Sequence, residues 1–372
     1  MRFLHTADWH IGKTLNEFSL LEDQQAVFAQ IEQIAQREQV DAVVVAGDLY
    51  DRSIPSEAAV KELNGMLRRL NLTDHFPVLA ISGNHDSATR LSTGADWFAR
   101  SSFYLNTDLA SAFTPVTIKD TQFFLLPFFG IQAVRNYFHD ERIKTVNDAM
   151  GRIVAEMQKA FLTDKHHVLV AHFFAAGSQR TADSETLIEV GGLSAVATSL
   201  LAPFDYVALG HLHNRNALNE ECIKYSGSPL KFSVSEARQE KGVWLVDTDP
   251  FAVQWLPLEP LHDITLLKAS FKELMANAKG YPATDFYDIE LTDRERIPDV
   301  LNKLRTVFPK IVSIHRTHQA QQLALNRQKH RVTESPLDLL ADFYSQTLGG
   351  KLSPAQYRWA EEALTEATKE EQ

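Results

Sequence analysis

Five short apolar runs, Arg2 to Ala7, Val40 to Ala46, Pro77 to Ser82, His167 to Ala171 and Tyr206 to Leu209, each end at an acidic or imidazole side chain or at a glycine that precedes an Asp, Asn or His. Runs of this length, rich in Val, Ile and Leu, suit strands buried on both faces of a sheet. Helical segments between them give the alternation of an α/β sandwich. The side chains at the breaks are Asp8, His10, Asp48, Asn84, His172, His211 and His213. Strand ends can converge on one crevice. Side chains two apart in extended chain point the same way, so Asp8-Trp9-His10 and His211-Leu212-His213 can each offer two ligands to one site.

Carboxylate, amide and imidazole are the groups that a two-metal hydrolase needs. Two divalent ions about 3.5 to 4 Å apart grip a phosphoryl group and lower the pKa of a bound water from 15.7 to about 7. Taken singly, an Asp or His that ends a strand is ordinarily a loop cap or a satisfied polar group. Asn84 in Gly83-Asn84-His85-Asp86 also suits a tight turn, since Asn tolerates left-handed backbone. His172 closes Val168-Leu169-Val170-Ala171, where a buried imidazole without a partner is costly. The joint occurrence of the seven favours ligands. Of the other histidines, His5 reads as a satisfied core residue, His166 and His167 as solvated residues before a strand, and His139, His262, His315, His318 and His330 have no motif context.

Composition narrows the function. With 372 residues, 44% hydrophobic and 23% charged, the chain can bury a large core and is expected to hold two or more domains. Its net charge of -11 predicts weak nonspecific attraction to nucleic acid, which is phosphate-driven. That argues against a stand-alone DNA binder and for a chain whose positive charge comes from a metal centre and a partner. Cys222, the single cysteine, excludes an internal disulfide and a thiolate-rich metal cluster and fits a reducing cytoplasm. No signal-like region precedes Arg2-Phe3-Leu4-His5, and the apolar stretch Phe123 to Ile131 is interrupted by Pro127, so neither export nor membrane insertion is expected. There is no G-x-x-x-x-G-K-[ST] loop, so any ATP dependence must come from a partner.

Two helices are expected early. One starts near Leu20 and places Leu21, Phe28, Ile31, Ile34 and Ala35 on one stripe; the other, Glu57 to Leu70, carries Leu63, Met66, Leu67 and Leu70. After Pro257-Leu258-Glu259-Pro260 the pattern becomes strand, helix, strand, helix, strand, with strands from Asp263 to Leu267, Phe286 to Leu291 and Ile311 to Ile314 and helices Phe271 to Lys279 and Arg294 to Phe308. Residues 319 to 334 are polar and aperiodic and read as a tether. Ser335-Pro336-Leu337-Asp338 and Ser353-Pro354-Ala355-Gln356 then signal two helix starts. The apolar stripes of that pair are too small for a core of their own, so it must dock on this chain or on a partner.

The series Asp8-Trp9-His10, Gly47-Asp48 followed by Asp51, Gly83-Asn84-His85-Asp86, His172 and Gly210-His211-Leu212-His213 resembles, in order, the motifs of the calcineurin-like metallophosphoesterases. Within them, His5-Thr6-Ala7-Asp8-Trp9-His10-Ile11-Gly12 and Tyr225-Ser226-Gly227-Ser228-Pro229 are most similar to the SbcD family of bacterial nuclease subunits, by motif to about residue 255 and by layout beyond it. The resemblance implies a two-sheet sandwich flanked by helices (1–258), a small α+β capping domain (259–318), a linker (319–334) and a C-terminal helix pair (335–372) that binds the partner. It implies one metal on Asp8, His10, Asp48 and His213, a second on Asp48, Asn84, His172 and His211, and His85 as the acid that protonates the leaving oxygen. Two divalent ions, most readily manganese, are the implied cofactors. The implied substrates are double-stranded DNA ends and hairpins, and the implied partner is an SbcC-type SMC/ABC ATPase in a heterotetramer built on a homodimer. That dimer would use the second helix with Trp97 and Phe98, and the complex would work in the cytoplasm at the nucleoid in repair and recombination. Archaeal and eukaryotic relatives place a histidine shortly after the bridging aspartate, where this chain has Asp51, so no second catalytic histidine is transferred. Two other readings stand beside this one: a related phosphoesterase acting on a small nucleotide or phosphoprotein, and a scaffold that has kept the fold without catalysis.

Overall fold

The computed structural model describes residues 1–181, 195–317, 337, 341, 344 and 352–361. The expected linker, His318, His330 and most of the expected helix pair lie outside the described residues. The chain divides into two compact units, residues 1–266 with 282–288 and 308–312, and residues 267–281 with 289–307 and 313–372.

The first unit holds two sheets. A six-stranded sheet runs in the order Phe251–Pro257, Gly242–Thr248, Arg2–Thr6, Ala42–Val45, Val78–Ile81, Phe103–Asn106, and a five-stranded sheet in the order Ile223–Tyr225, Tyr206–Gly210, His166–His172, Thr121–Leu126, Val116–Ile118. The pairings from Arg2–Thr6 through Phe103–Asn106 are parallel, as are those from Ile223–Tyr225 through Thr121–Leu126. Phe3, Val44, Leu79 and Ile81 of one sheet pack with Phe123, Val168, Val170 and Ala208 of the other to form the inner core. The outer faces are covered by helices, Leu21–Arg37 and Glu57–Arg68 on one side and Val146–Met157 on the other. Double burial explains why the strands read as unbroken apolar runs.

Each helix starts where the chain supplies a cap. Ser56 accepts from the Ala59 amide, and Thr145 with Asp148 forms a reciprocal box ahead of Val146–Met157. In Leu21–Arg37 the buried face is Val27, Phe28, Ile31, Ile34 and Ala35, each worth about 1.5 to 3 kcal/mol for the larger side chains on full burial. On Glu57–Arg68, Leu63 and Met66 are buried in the chain's own core, so that stripe covers the sheet and is not available to a second copy. Trp97, 78% exposed, and Ile54, 71% exposed, remain at the surface.

Two expectations are corrected. His166 and His167 belong to the strand His166–His172, and the ring of His167 stacks on Phe161 at 3.8 Å between centroids instead of standing in solvent. The helix expected over Arg294 to Phe308 is confined to Val300–Arg305. Pro298 disfavours helical backbone at Ile297, and Asp299 takes a left-handed φ of 55°, which delays the start. The second unit otherwise contains Phe271–Asn277, opened by a Ser270/Glu273 capping box, and buries Leu267, Leu274, Ile289, Leu291 and Leu304. A three-stranded sheet runs in the order Ile264–Ala269, Phe286–Leu291, Lys310–Arg316. Residues 354–361 are helical, with Ser353 and Gln356 exchanging the cap bonds expected of them. No helix among the described residues is long and apolar enough to cross a membrane.

Candidate metal centre

The parallel strands of both sheets end at the same place. Asp8 and His10 follow Arg2–Thr6, Asp48 follows Ala42–Val45, Asn84 and His85 follow Val78–Ile81, His172 ends His166–His172, and His211 and His213 follow Tyr206–Gly210. Within the six-stranded sheet the amides of Asp8 and His10 donate to the carbonyls of Gly47 and Asp48 at 3.1 and 2.9 Å, and between the two sheets the His211 amide donates to Asp8 Oδ1 at 2.9 Å. Glycine is required where the loops touch. A Cβ on Gly83 would collide with the Asp48 carboxylate, and one on Gly210 with the carbonyl of Ala46.

All seven expected ligands come together. His10 Nε2 lies 3.2 Å from His213 Nε2 and 3.5 Å from Asp48 Oδ2. His172 Nε2 lies 3.3 Å from the same Asp48 oxygen and 2.9 Å from Asn84 Oδ1, which is also 3.0 Å from His211 Nδ1. Ligand atoms of Asp8, His10 and His213, and of Asp8, Asp48 and His172, fall within 4.8 Å of one another. Atoms about 2.1 Å from one octahedral cation, at right angles, stand about 3 Å apart. The observed separations match that spacing.

The electrostatics fit a cation as well. The Oδ2 of Asp8 is buried with no hydrogen-bond partner among the described residues. The Nδ1 of His172 meets the Ala46 carbonyl at 2.9 Å and donates to it, so the neutral ring presents a lone pair at Nε2 toward Asp48 and Asn84, which are acceptors themselves. Acceptors converging at this distance repel unless a positive charge sits among them. The side chains by themselves answer with protons. Burial works to lower His172, yet Asp48 beside it carries it up to about 9, while burial and the charge of His172 drop His211 to about 3. Burial pushes the Asp8 carboxyl up to about 6; in Asp48 the same push is overcome by His172 and His10, which hold it far below the usual carboxylate range. Groups displaced in opposite directions within one pocket are what a bound cation resolves.

His85 stands at the edge of this cluster, half-buried, with its ring 4.7 Å from that of His10. Its amide donates to Asp48 Oδ1 at 2.9 Å and its Nδ1 to the carbonyl of Asp51 at 2.8 Å. Asp51 thus reaches His85 through its backbone, while its carboxylate pairs with Lys13 at 2.8 Å. His5 is a core residue as expected, held by the Tyr206 hydroxyl at 2.9 Å and the Leu209 carbonyl at 3.2 Å. Sequence reasoning missed Asp86, which accepts the amides of Leu49, Tyr50 and Gly83 at 2.9 to 3.0 Å, and the buried pair Glu236 and Lys241 behind His213. Asp86 closes the motif Gly83-Asn84-His85-Asp86, a signal that could have found it; Glu236 and Lys241 carry no local signal.

A family model described as calcineurin-like phosphoesterase matches residues 1–215, and one described as type 5 capsule protein repressor C-terminal domain matches residues 260–347. Among curated proteins, the SbcD subunit of the SbcCD nuclease of Staphylococcus epidermidis is 36% identical over 318 residues, covering 84% of this chain and 85% of the relative. The protein of the same name from Staphylococcus saprophyticus is 32% identical over 371 residues, 98% of each chain.

Proposed function

Because the chain belongs to the calcineurin-like phosphoesterases, and within them to the SbcD family of SbcCD nuclease subunits, we propose that it is a DNA nuclease subunit that hydrolyses phosphodiester bonds at duplex ends and hairpins beside an SbcC-type SMC/ABC ATPase. The observation that carries this reading is Asp48 Oδ2, 3.5 Å from His10 Nε2 on one side and 3.3 Å from His172 Nε2 on the other. One carboxylate oxygen between two ligand sets is what a bridged metal pair asks for. In this reading Asp8, His10, Asp48 and His213 hold one ion, and Asp48, Asn84, His172 and His211 the other.

Bound there, two divalent cations, manganese in this proposal, would supply a Lewis acid for the phosphoryl oxygens and activate water. The protein's own groups do the rest. Donation from His85 Nδ1 to the Asp51 carbonyl fixes one proton there and leaves Nε2 as the exchanging position; in the imidazolium form the Nε2 proton passes to the leaving 3′ or 5′ oxygen and the ring is left neutral. The bond from the His85 amide to Asp48 Oδ1 keeps that acid in register with the carboxylate.

The remaining parts are assigned on the family's layout: residues 1–258 as the nuclease domain, 259–318 as a cap, 319–334 as a linker and 335–372 as the helix pair for the ATPase. Two copies would pair through the exposed surface around Trp97 and Phe98 in a heterotetramer. Work on chromosomal DNA would place the complex at the cytoplasmic nucleoid.

The test is to incubate the purified chain and manganese with hairpin DNA and with a chromogenic phosphodiester. Hairpin cleavage supports the nuclease; hydrolysis of the small diester alone would indicate a small-substrate phosphoesterase, and neither would indicate a scaffold.

A further inference from the structure

Behind His213 lies a charged cluster that the reaction does not use directly. Glu236 is fully buried and Lys241 is 6% exposed, and their charged groups meet at 2.5 Å. Burying such a pair is poor fold engineering, since desolvating two charges offsets much of what their attraction returns and an apolar pair of similar volume serves as well. What the pair touches supplies a reason for it. Glu236 Oε1 lies 3.2 Å from His213 Nδ1, and Lys241 Nζ donates to the carbonyl of that same His213 at 2.9 Å. One ammonium therefore holds both the backbone of His213 and the carboxylate that faces its ring.

The seat of this cluster is Tyr225-Ser226-Gly227-Ser228-Pro229, the stretch singled out in the sequence and given no role by the reaction. Ser228 Oγ accepts from Lys241 at 2.9 Å and donates to the Leu230 carbonyl at 2.7 Å. Gly227 takes φ +73° and lies so close to His213 that a Cβ would meet its carbonyl oxygen at 2.6 Å.

Resting on the two-metal reading above, we propose that Glu236, clamped by Lys241, is a positioning residue for His213. An ionised carboxylate only accepts, so the proton of His213 stands on Nδ1 and the lone pair of Nε2 faces His10 Nε2 across 3.2 Å. His172 achieves the same orientation with the neutral Ala46 carbonyl, so the two rings are oriented by acceptors of different charge. The two ions are thereby held with unequal strength, and the one on His10 and His213 depends on Glu236.

The test uses the full chain stripped of metal and titrated with manganese by calorimetry and electron spin resonance, comparing the natural protein with Glu236→Gln and with Glu236→Gln/Lys241→Met. The double variant removes both buried charges, so a fold that needed only their mutual neutralisation is preserved. Expected is a weakening of about 10- to 100-fold for one of the two manganese equivalents in both variants, the other equivalent unmoved. Loss of the spin-coupled pair signal at sub-saturating metal and restored pairing at high metal are expected with it. Natural affinity for both equivalents in the double variant overturns the positioning role alone. A natural chain that takes up no pair of ions overturns the two-metal reading and this inference together.

Discussion

Asp8, His10, Asp48 and His211 take φ values of 52°, 44°, 50° and 95°, left-handed backbone in residues that are not glycine. Such conformations cost of order 1 to 3 kcal/mol each and persist only where surrounding structure holds them. Here the holding groups include the amide bonds from Asp8 and His10 to the neighbouring loop and from His211 to Asp8, and the strain is concentrated on candidate ligands. The tight approach of the loops gives a first prediction: Gly210→Ala places a Cβ into the Ala46 carbonyl, and the expected loss of about 1 to 3 kcal/mol is read from the urea midpoint. A second concerns chemistry. His85→Asn should bind manganese as the natural chain does but cleave hairpin DNA about 10² to 10⁴ times more slowly. Full cleavage by that variant would refute the acid assignment, because a side-chain amide cannot deliver the proton.

At the scale of elements, the site is made by loops and the loops are held by Asp86. Its carboxylate gathers amides from the turn after Ala42–Val45 and the turn after Val78–Ile81, joining two loops from neighbouring parallel strands. Asp86→Ala leaves three amides without their acceptor and should cost about 1 to 3 kcal/mol for each one left buried and unsatisfied. Hydrogen exchange checks this locally: amides 49, 50 and 83 should lose protection while those in the middle of Leu21–Arg37 do not change. Equal loss in both places would mean that Asp86 stabilises the whole unit and has no special hold on the loops.

For the whole molecule, the net charge of -11 and a pocket with two carboxylates set opposite demands. Divalent metal should stabilise the fold by mass action, about 2.7 kcal/mol at a hundredfold excess over Kd. Thermal unfolding with manganese and with chelator measures that difference, and identical midpoints would remove the metal centre. The same charge predicts that the isolated chain binds duplex DNA weakly, with a shallow dependence on salt, until a partner contributes its own cations. Binding by the chain alone with a steep salt slope would contradict this.

Much of this was already written in local pattern. Apolar runs that stop at Asp, Asn or His are legible because double burial forbids polar residues inside the strands and releases that restriction at their ends. Spacing of two in Asp8-Trp9-His10 and His211-Leu212-His213 and the glycines at the tightest contacts are likewise short-range facts. Some expectations failed for equally local reasons, as at Pro298 and Asp299. Glu236 and Lys241 were different. Their partners lie 23 and 28 residues away, at His213, and a buried charge looks in sequence like any surface Glu or Lys. Burial belongs to the assembled sheets and turns, so which charges are taken from water, and which imidazole they then orient, became visible only once the chain had folded.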